Sequence, residues 1–261
     1  MRRPTVHSVE KMLSHARPGP AALPASPRAS RGLRQLLLAS LVMLAALLAW
    51  DASGLDLPMA RLFGDADGFA LRSHWLLTTV LHEGGRIAAW ALVLALCIGV
   101  WWPRGPLHRL PPGRRLQLAV GALAAVLAVS ALKSLSTTSC PQELTMFGRS
   151  AQYMSHWHWP PGLTDGGTGH CFPAGHASAG FAFIAGFFAC RQHDRRQAWA
   201  WLGGALLAGT VLGLGQQMRG AHFMSHTLWS AYVCWWVALA TDLLFQRLRV
   251  RQPLAAPTES A

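Results

Sequence analysis

Long apolar runs alternate with shorter polar stretches along most of this chain. Most of the runs approach the ~20 residues that a helix needs to cross the hydrocarbon core of a membrane. Six are visible, near residues 33–50, 76–102, 116–134, 173–190, 198–215 and 227–246. The pattern predicts an all-α, polytopic membrane protein with six transmembrane helices.

Composition agrees with this class, since 52% of the residues are hydrophobic and only 13% are charged. The apolar pattern also divides the chain into three parts. Residues 1–32 are rich in Pro and Arg and are predicted to be a disordered, basic cytoplasmic tail. Residues 33–246 are predicted to form the membrane domain, and residues 247–261 a second cytoplasmic tail.

The formal net charge of +12 is unevenly distributed. If the N-terminus is cytoplasmic and six spans follow, 17 Lys and Arg lie on cytoplasmic segments and 6 on outer segments or span ends. This bias follows the positive-inside rule and predicts that both termini are cytoplasmic. The excess charge is then an orientation signal, so we expect no nucleic-acid partner. Chain length and charge bias together suggest a bacterial inner membrane.

Three short segments hold most of the reactive side chains. They are KSLSTTSCP, which begins at Lys133, CFPAGH, which ends at His176, and RGAHFMSH, which begins at Arg219. Each lies where an apolar run meets a polar stretch, and six spans would bring all three to the periplasmic face. Ionisable groups near lipid are costly and indicate function. One Lys, one Arg and three His at one face suit the cleavage of a phosphate ester.

The middle segment is predicted to begin a helix, with Pro173 in its first turn. His176 would then lie among free backbone N–H groups, where the helix dipole favours an anion. Ala174 and Gly175 leave the backbone uncovered, so a phosphate could approach closely. A capped, interfacial histidine is the alternative interpretation.

The last segment places Arg219, His222 and His226 at spacing i, i+3, i+7, which predicts one shared helix face. Trp229 is a candidate interfacial anchor beside them. Lys133 lies near the outer end of the third span, where a snorkelling lysine would be ordinary. Together with the other two segments it becomes a third group facing a phosphate.

Two of the five cysteines, Cys140 and Cys171, bracket the predicted outer loop. In an oxidising periplasm they could form a disulfide, and two free thiols are the alternative. The other three lie within or at the ends of spans, where a buried thiol is ordinary: Cys97, Cys190 and Cys234.

Other histidines carry weaker signals. His82 and Glu83 could line the site, but a polar cluster at the start of a helix is the simpler interpretation. His156 and His158 alternate with Trp residues and are typical of an interfacial loop.

The three segments resemble the signature of the type-2 phosphatidic acid phosphatase superfamily of membrane lipid phosphatases, across roughly residues 33–246. The family pattern is Lys-x6-Arg-Pro, then Pro-Ser-Gly-His, then Ser-Arg-x5-His-x3-Asp. Here Lys133 begins the first motif, His176 ends the second, and His222 is the histidine of the third. The resemblance implies a six-helix lipid phosphatase.

The chain departs from the family pattern at several positions. Cys140 replaces the first Arg, Ala174 replaces the Ser, Gln216 replaces the second Arg, and His226 replaces the Asp. Arg219, about one helical turn from the second Arg position, is expected to supply that charge. A neutral imidazole at position 226 can still accept a hydrogen bond from the nucleophile.

The resemblance implies that the substrate phosphate lies between Lys133, Arg219 and the backbone N–H groups near Ala174 and Gly175. His222 would attack phosphorus and form a phosphohistidine. No metal or cofactor is expected in this scheme.

The same resemblance assigns the proton transfers to two further histidines. His176 would protonate the leaving oxygen and then activate water, and His226 would hold the tautomer of the nucleophile. The implied partners are the lipid bilayer and a membrane lipid phosphate. An isoprenyl diphosphate, a lipid A phosphate and phosphatidylglycerol phosphate are equally compatible with the sequence.

A metal site is one alternative, because His222-x3-His226 has metal-ligand spacing and His176 could be a third ligand. Phe223 stands where a zinc-protease helix has its Glu base, which argues against that class.

Two other functions stay open. The departures from the family pattern are compatible with a non-catalytic protein that binds lipid phosphates. A phosphohistidine could also pass its phosphate to another lipid, which would make the protein a phosphotransferase.

Overall fold

The computed structural model describes residues 27–157 and 164–250. Most of the predicted N-terminal tail, most of the predicted C-terminal tail and His158 lie outside these residues, so their interpretations stay predictions. The chain divides into two units between Val42 and Met43. The first half of helix α1 belongs to the first unit, and all the following described elements belong to the second.

The protein is mostly helical, with very little strand. The α-helices are α1 (Pro27–Ser53), α2 (Asp56–Ala60), α3 (Gly85–Trp101), α4 (Pro112–Leu135), α5 (Gly175–Phe181), α6 (Ala185–Cys190), α7 (Arg195–Met218) and α8 (Met224–Val250). A π-helix (Leu76–Gly84) leads directly into α3. Short 3-10 helices are Gly105–Arg109, Pro141–Glu143, Thr145–Phe147 and Ala182–Ile184. The antiparallel pair β1 (Gly64–Asp65) and β2 (Gly68–Phe69) forms a small hairpin.

Helix length and apolarity confirm a membrane protein with several transmembrane helices. Within the described residues, five helices are long and apolar enough to cross a membrane: Arg31–Ser53, Leu76–Arg109, Pro112–Leu135, Arg195–Met218 and Met224–Leu248. The fourth apolar run of the sequence instead forms the shorter helical stretch Gly175–Cys190. Six spans and two cytoplasmic termini therefore stay predictions.

This shorter stretch lies inside the helix bundle. A 3-10 turn at Ala182–Ile184 separates α5 from α6, and most of its side chains are buried. A Cβ atom on Gly180 would lie only 2.2 Å from the backbone nitrogen of Gly209, so α5 and α7 approach backbone to backbone. Because only glycine permits this approach, Gly180 and Gly209 fix the position of α5 against α7.

At the start of α4, a buried ionic network ties three parts of the bundle together. Arg114 Nη1 donates to Asp242 Oδ1 of α8 at 2.7 Å, and Arg191 Nη2 donates to Asp242 Oδ2 at 2.7 Å. Gln117 Nε2 donates to the same carboxylate at 3.0 Å. The side chains of Arg114 and Asp242 are only 2% and 0% exposed. The negative charge of Asp242 is therefore balanced by its two arginine partners and not by solvent.

The opposite end of the bundle is covered by the hairpin and by the long α4–α5 connection. A small apolar cluster joins these parts: Ala60, Phe69, Leu144, Phe147, Ala151 and Phe223. Phe223 belongs to the turn between α7 and α8, so the cluster anchors that turn against the connection. The turn carries His222, and the cluster therefore helps to position this side chain.

Candidate active site

His176 lies in the first turn of α5, as predicted. The helix begins at Gly175, and Ala174 is its N-cap in an extended conformation. Pro173 therefore lies before the helix, and its predicted place in the first turn is wrong. The N–H of Ala174 donates to the carbonyl of His226 in α8 at 3.1 Å, so the segment before Gly175 is bound to α8 and is not part of α5. This N–H is consequently not free to bind a phosphate, contrary to the prediction.

Lys133 lies in the last turn of α4 and reaches the start of α5. Its Nζ is 3.8 Å from the position that a Cβ atom on Gly175 would occupy. The side chain is half-buried, and within the described part of the chain no carboxylate lies within 4.0 Å of its ammonium. Glycine at position 175 thus leaves room for an unpaired ammonium beside His176.

His222 lies in a turn between two helices. The predicted single helix face for Arg219, His222 and His226 is wrong, because α7 ends at Met218 and α8 begins only at Met224. Gly220 adopts a left-handed conformation (φ +72°), which ends the helix. A Cβ atom there would also lie 2.4 Å from the ring of Phe69, so glycine is required twice over.

Burial determines the charge state of His222. The residue is 3% exposed, and burial lowers its pKa to about 3. The nearby charges of Lys133 and His176 lower the pKa further in the same direction. The imidazole is therefore neutral at neutral pH and keeps a lone pair for attack.

His226 does not make the predicted contact with the nucleophile. The ring centres of His222 and His226 are 5.8 Å apart. An in-line N–H···N hydrogen bond would bring the two centres to about 5 Å. In the described region, Nδ1 of the buried His226 has no hydrogen-bond partner. His226 thus lies beside His222 without a direct hydrogen bond to it.

A buried carboxylate, Asp51, lies beside His156, and sequence analysis did not identify it. His156 Nε2 is 3.2 Å from Asp51 Oδ2, and the His156 ring centre is 5.9 Å from that of His226. The indole N–H groups of Trp157 and Trp229 also donate to Asp51, at 3.0 and 2.9 Å. Trp229, predicted as an interfacial anchor, therefore donates a hydrogen bond to this carboxylate.

His82 is a site residue that the sequence interpretation undervalued. Its ring stacks on that of His176, with the centres 3.7 Å apart and the planes inclined by 28°. Its Nδ1 is 3.0 Å from Glu83 Oε1, and Glu83 in turn pairs with Arg86 at 2.7 Å. In the sequence, the signal for His82 was its place at the polar start of an apolar run. Only the packing of the helices shows that His82 faces His176.

Arg219 is held beside the position of the second family Arg. Its Nη1 donates to Gln216 Oε1 at 3.2 Å, and its Nε donates to the carbonyl of Arg72 at 3.0 Å. Both acceptors are uncharged, so neither of them neutralises the positive charge of the guanidinium. Within the described ranges, Nη2 makes no hydrogen bond.

Cys140 and Cys171 form a disulfide, with an S–S distance of 2.08 Å and Cα atoms 5.2 Å apart. It joins the first motif to the second. The Cys171 sulfur lies 3.5 Å from His222 Nδ1 and 3.1 Å from the Ala221 carbonyl oxygen. The disulfide thus lies on one side of the His222 ring.

A cavity of about 240 Å³ opens beside Lys133 and the start of α5. Lys133, Gly175 and His176 line it, and Trp90, Val93, Val126 and other apolar residues continue it between α3 and α4. A phosphate near the polar residues would therefore be attached to a chain that lies among apolar ones.

Comparison with known families assigns the chain to one of them. A family model of the PAP2 superfamily matches residues 114–249. The chain belongs to the PAP2 superfamily. This membership, expected from the three motifs, indicates a membrane phosphatase. Searches of curated proteins and of solved structures found no significant match.

Among the described residues, the potential metal ligands whose atoms lie together are Cys140, Cys171 and His222. The alternative set of His176, His222 and His226 does not form such a group there. Two members of the first group are joined in a disulfide.

Proposed function

We propose that this PAP2 protein is a lipid phosphatase that cleaves a lipid phosphomonoester or diphosphate through a phosphohistidine on His222. The observation that carries the proposal is a buried, neutral His222 near Lys133, whose ammonium has no carboxylate partner among the described residues. The strong positive-inside bias supports a site on the periplasmic face of a bacterial inner membrane. No metal takes part in the proposed reaction.

The substrate phosphate lies between Lys133 and Arg219 in this proposal. A phosphoryl group in its transition state carries negative charge on its equatorial oxygens, and fixed cations stabilise that charge. Neither side chain has a carboxylate within 4.0 Å in the described part of the protein. A bound phosphate would therefore be the anionic partner of both side chains.

His222 attacks phosphorus through Nε2. Its Nδ1 lies 3.5 Å from the disulfide sulfur of Cys171, which leaves Nε2 for the substrate. The bond to the leaving oxygen breaks as the bond from Nε2 to phosphorus forms. A mere binding protein would have no need of a buried imidazole kept neutral in this way.

His176 delivers a proton to the leaving oxygen and then takes one from the water that hydrolyses the phosphohistidine. Its ring is oriented by the stack with His82 at 3.7 Å. The apolar part of the 240 Å³ cavity, along Trp90 and Val126, accommodates the beginning of the lipid chain.

The test is phosphate release by the detergent-purified protein from a panel of lipid phosphates and diphosphates, with EDTA present. We expect release by the wild type and by His108→Gln, a matched control at an exposed histidine, and none by His222→Gln. A phosphoprotein that is labile in acid and stable in alkali should be trapped only when His222 is present. Full activity of His222→Gln, or no release from any lipid, would contradict the proposal.

A further inference from the structure

The disulfide and the nucleophile form a compact corner of three potential metal ligands. The Sγ atoms of Cys140 and Cys171 and a ring nitrogen of His222 all lie within 4.8 Å of one another. Cys171 and His222 are buried, and Cys140 is half-buried, so the corner can be reached from one side only. The proposed hydrolysis uses Nε2 of His222 and leaves this corner without a role.

The spacing matches that of a tetrahedral zinc site. Zinc–sulfur bonds of ~2.3 Å and zinc–nitrogen bonds of ~2.0 Å place sulfur and nitrogen ligands about 3.5 Å apart, and two sulfur ligands about 3.8 Å apart. Cys171 Sγ and His222 Nδ1 are already 3.5 Å apart. The two bonded sulfurs would have to separate.

We propose that reduction of the Cys140–Cys171 disulfide creates a binding site for one thiophilic divalent cation such as Zn²⁺, with His222 Nδ1 as the third ligand. A dithiol supplies two electrons and two protons to the disulfide and is itself oxidised to a disulfide. The cation then displaces the two thiol protons, since the bound form of Cys is the thiolate. A water molecule fills the fourth position.

The charge and type of the ligands suit such a cation. Two thiolates balance its two positive charges, since the bound form of Cys is the thiolate. His222 supplies a buried imidazole, with Nδ1 3.5 Å from Cys171 Sγ. A soft ligand pair with an imidazole favours zinc over magnesium or calcium.

Metal binding would also remove the nucleophile. A neutral imidazole has one nitrogen with a free lone pair, and the other carries the proton. If Nδ1 binds the cation, Nε2 holds the proton and cannot attack phosphorus. This consequence rests on the proposed function, whereas the metal site itself does not.

The test uses Co²⁺ as a spectroscopic probe for the full-length protein in detergent. The protein is reduced with dithiothreitol, freed of the reductant without oxygen, and titrated. We expect one Co²⁺ per reduced chain, with a thiolate-to-cobalt charge-transfer band. Oxidised wild type is the matched control, because it keeps its three other thiols: Cys97, Cys190 and Cys234.

Two variants assign the ligands. Reduced Cys140→Ser should lose the charge-transfer band, and reduced His222→Gln should bind Co²⁺ at least tenfold more weakly. Reduced wild type that has been alkylated serves as a second control if Cys140→Ser does not fold. Equal binding by reduced and oxidised wild type would overturn the proposal, as expected if the freed Cys171 thiol donates to the Ala221 carbonyl instead.

Activity provides the second measurement. Reduced, metal-free protein should keep its phosphatase activity, lose at least tenfold of it with stoichiometric Zn²⁺, and recover it with EDTA. Full activity with Zn²⁺ bound would overturn the placement of His222 among the ligands. If the protein releases no phosphate in any state, the proposed function fails while the Co²⁺ titration still decides the metal site.

Discussion

Helix α4 carries the buried Arg114 in its first turn and Lys133 in its last turn, and the protein treats these two cations differently. Arg114 is 2% exposed and meets the carboxylate of Asp242 at 2.7 Å. Lys133 is half-buried at the other end and meets no carboxylate within 4.0 Å among the described residues. The two positions are 19 residues apart, or about 28 Å along a helix.

The difference separates a structural charge from a functional one. A buried cation is tolerated when partners compensate it, and Arg114 has such partners on α8. Lys133 and Arg219 have no charged partner among the residues that the structure describes, which is costly unless a ligand supplies the anion. The comparison therefore identifies the end of the bundle at which a phosphate is expected.

Removal of the unpaired cation should have the largest effect on catalysis. Lys133→Met is expected to lower kcat/KM by about 10²- to 10³-fold, because a fixed charge on the transition state is lost. Its thermal midpoint should stay close to that of the wild type, since no ion pair is broken. Lys133→Arg, which keeps the charge, should recover part of the activity. A large loss of stability without loss of activity would reverse the comparison.

Removal of the paired cation should act on stability instead. Arg114→Met leaves Asp242 with less compensation in a buried site and should lower the free energy of unfolding by about 3–5 kcal/mol. Thermal unfolding in detergent measures this change, with Arg104→Met as the control at an exposed position. The activity per folded molecule should be unchanged. An unaltered thermal midpoint would show that the network is dispensable.

The stack on His176 should have an intermediate effect. We expect His82→Ala to lower kcat about tenfold, because the ring of His176 loses the face that holds it at 3.7 Å. His82→Phe keeps an aromatic face and should retain most of the activity. Measurement of kcat for both variants across pH decides the role. If His82→Phe is as poor as His82→Ala, a proton on His82 contributes and stacking alone does not.

The pH dependence of stability should show the smallest effect. The pKa of His222 is about 3 in the folded protein and 6.5 when unperturbed, so the unfolded chain binds more protons between these values. The free energy of unfolding must then fall as pH falls from 6.5 towards 3. His222→Gln removes one such group and should reduce this slope by at most about 1.4 kcal/mol per pH unit.

The test is the thermal midpoint of the wild type and of His222→Gln, measured in detergent at about pH 7.5, 6 and 5. Parallel curves for the two proteins would mean that His222 is not neutralised by burial.

Much of the fold and part of the site could be predicted from sequence. The apolar runs have the length that a membrane requires, and hydrophobic burial depends on composition more than on detail. The motifs around Lys133, His176 and His222 were recognised because each places reactive residues at the end of an apolar run. The pairing of Cys140 with Cys171 was one of two alternatives, and the structure contains the disulfide.

Local spacing failed where the chain turns. Arg219 and His226 have helical spacing, but the left-handed Gly220 interrupts the helix, so the two side chains lie on different elements. The run 173–190 has nearly the length of a span, yet it forms a broken helix inside the bundle. Periodicity cannot show either feature, because both depend on contacts with other helices.

By itself, the sequence determined the class of protein, its family and the three residues on which the proposed chemistry rests, since these follow from apolar length and from motifs. Only the tertiary structure decided that His82 stacks on His176 and that Asp51 pairs with His156, 105 residues away. Contacts at such separations depend on how helices pack. The charge state of His222 was decided in the same way, because burial sets it.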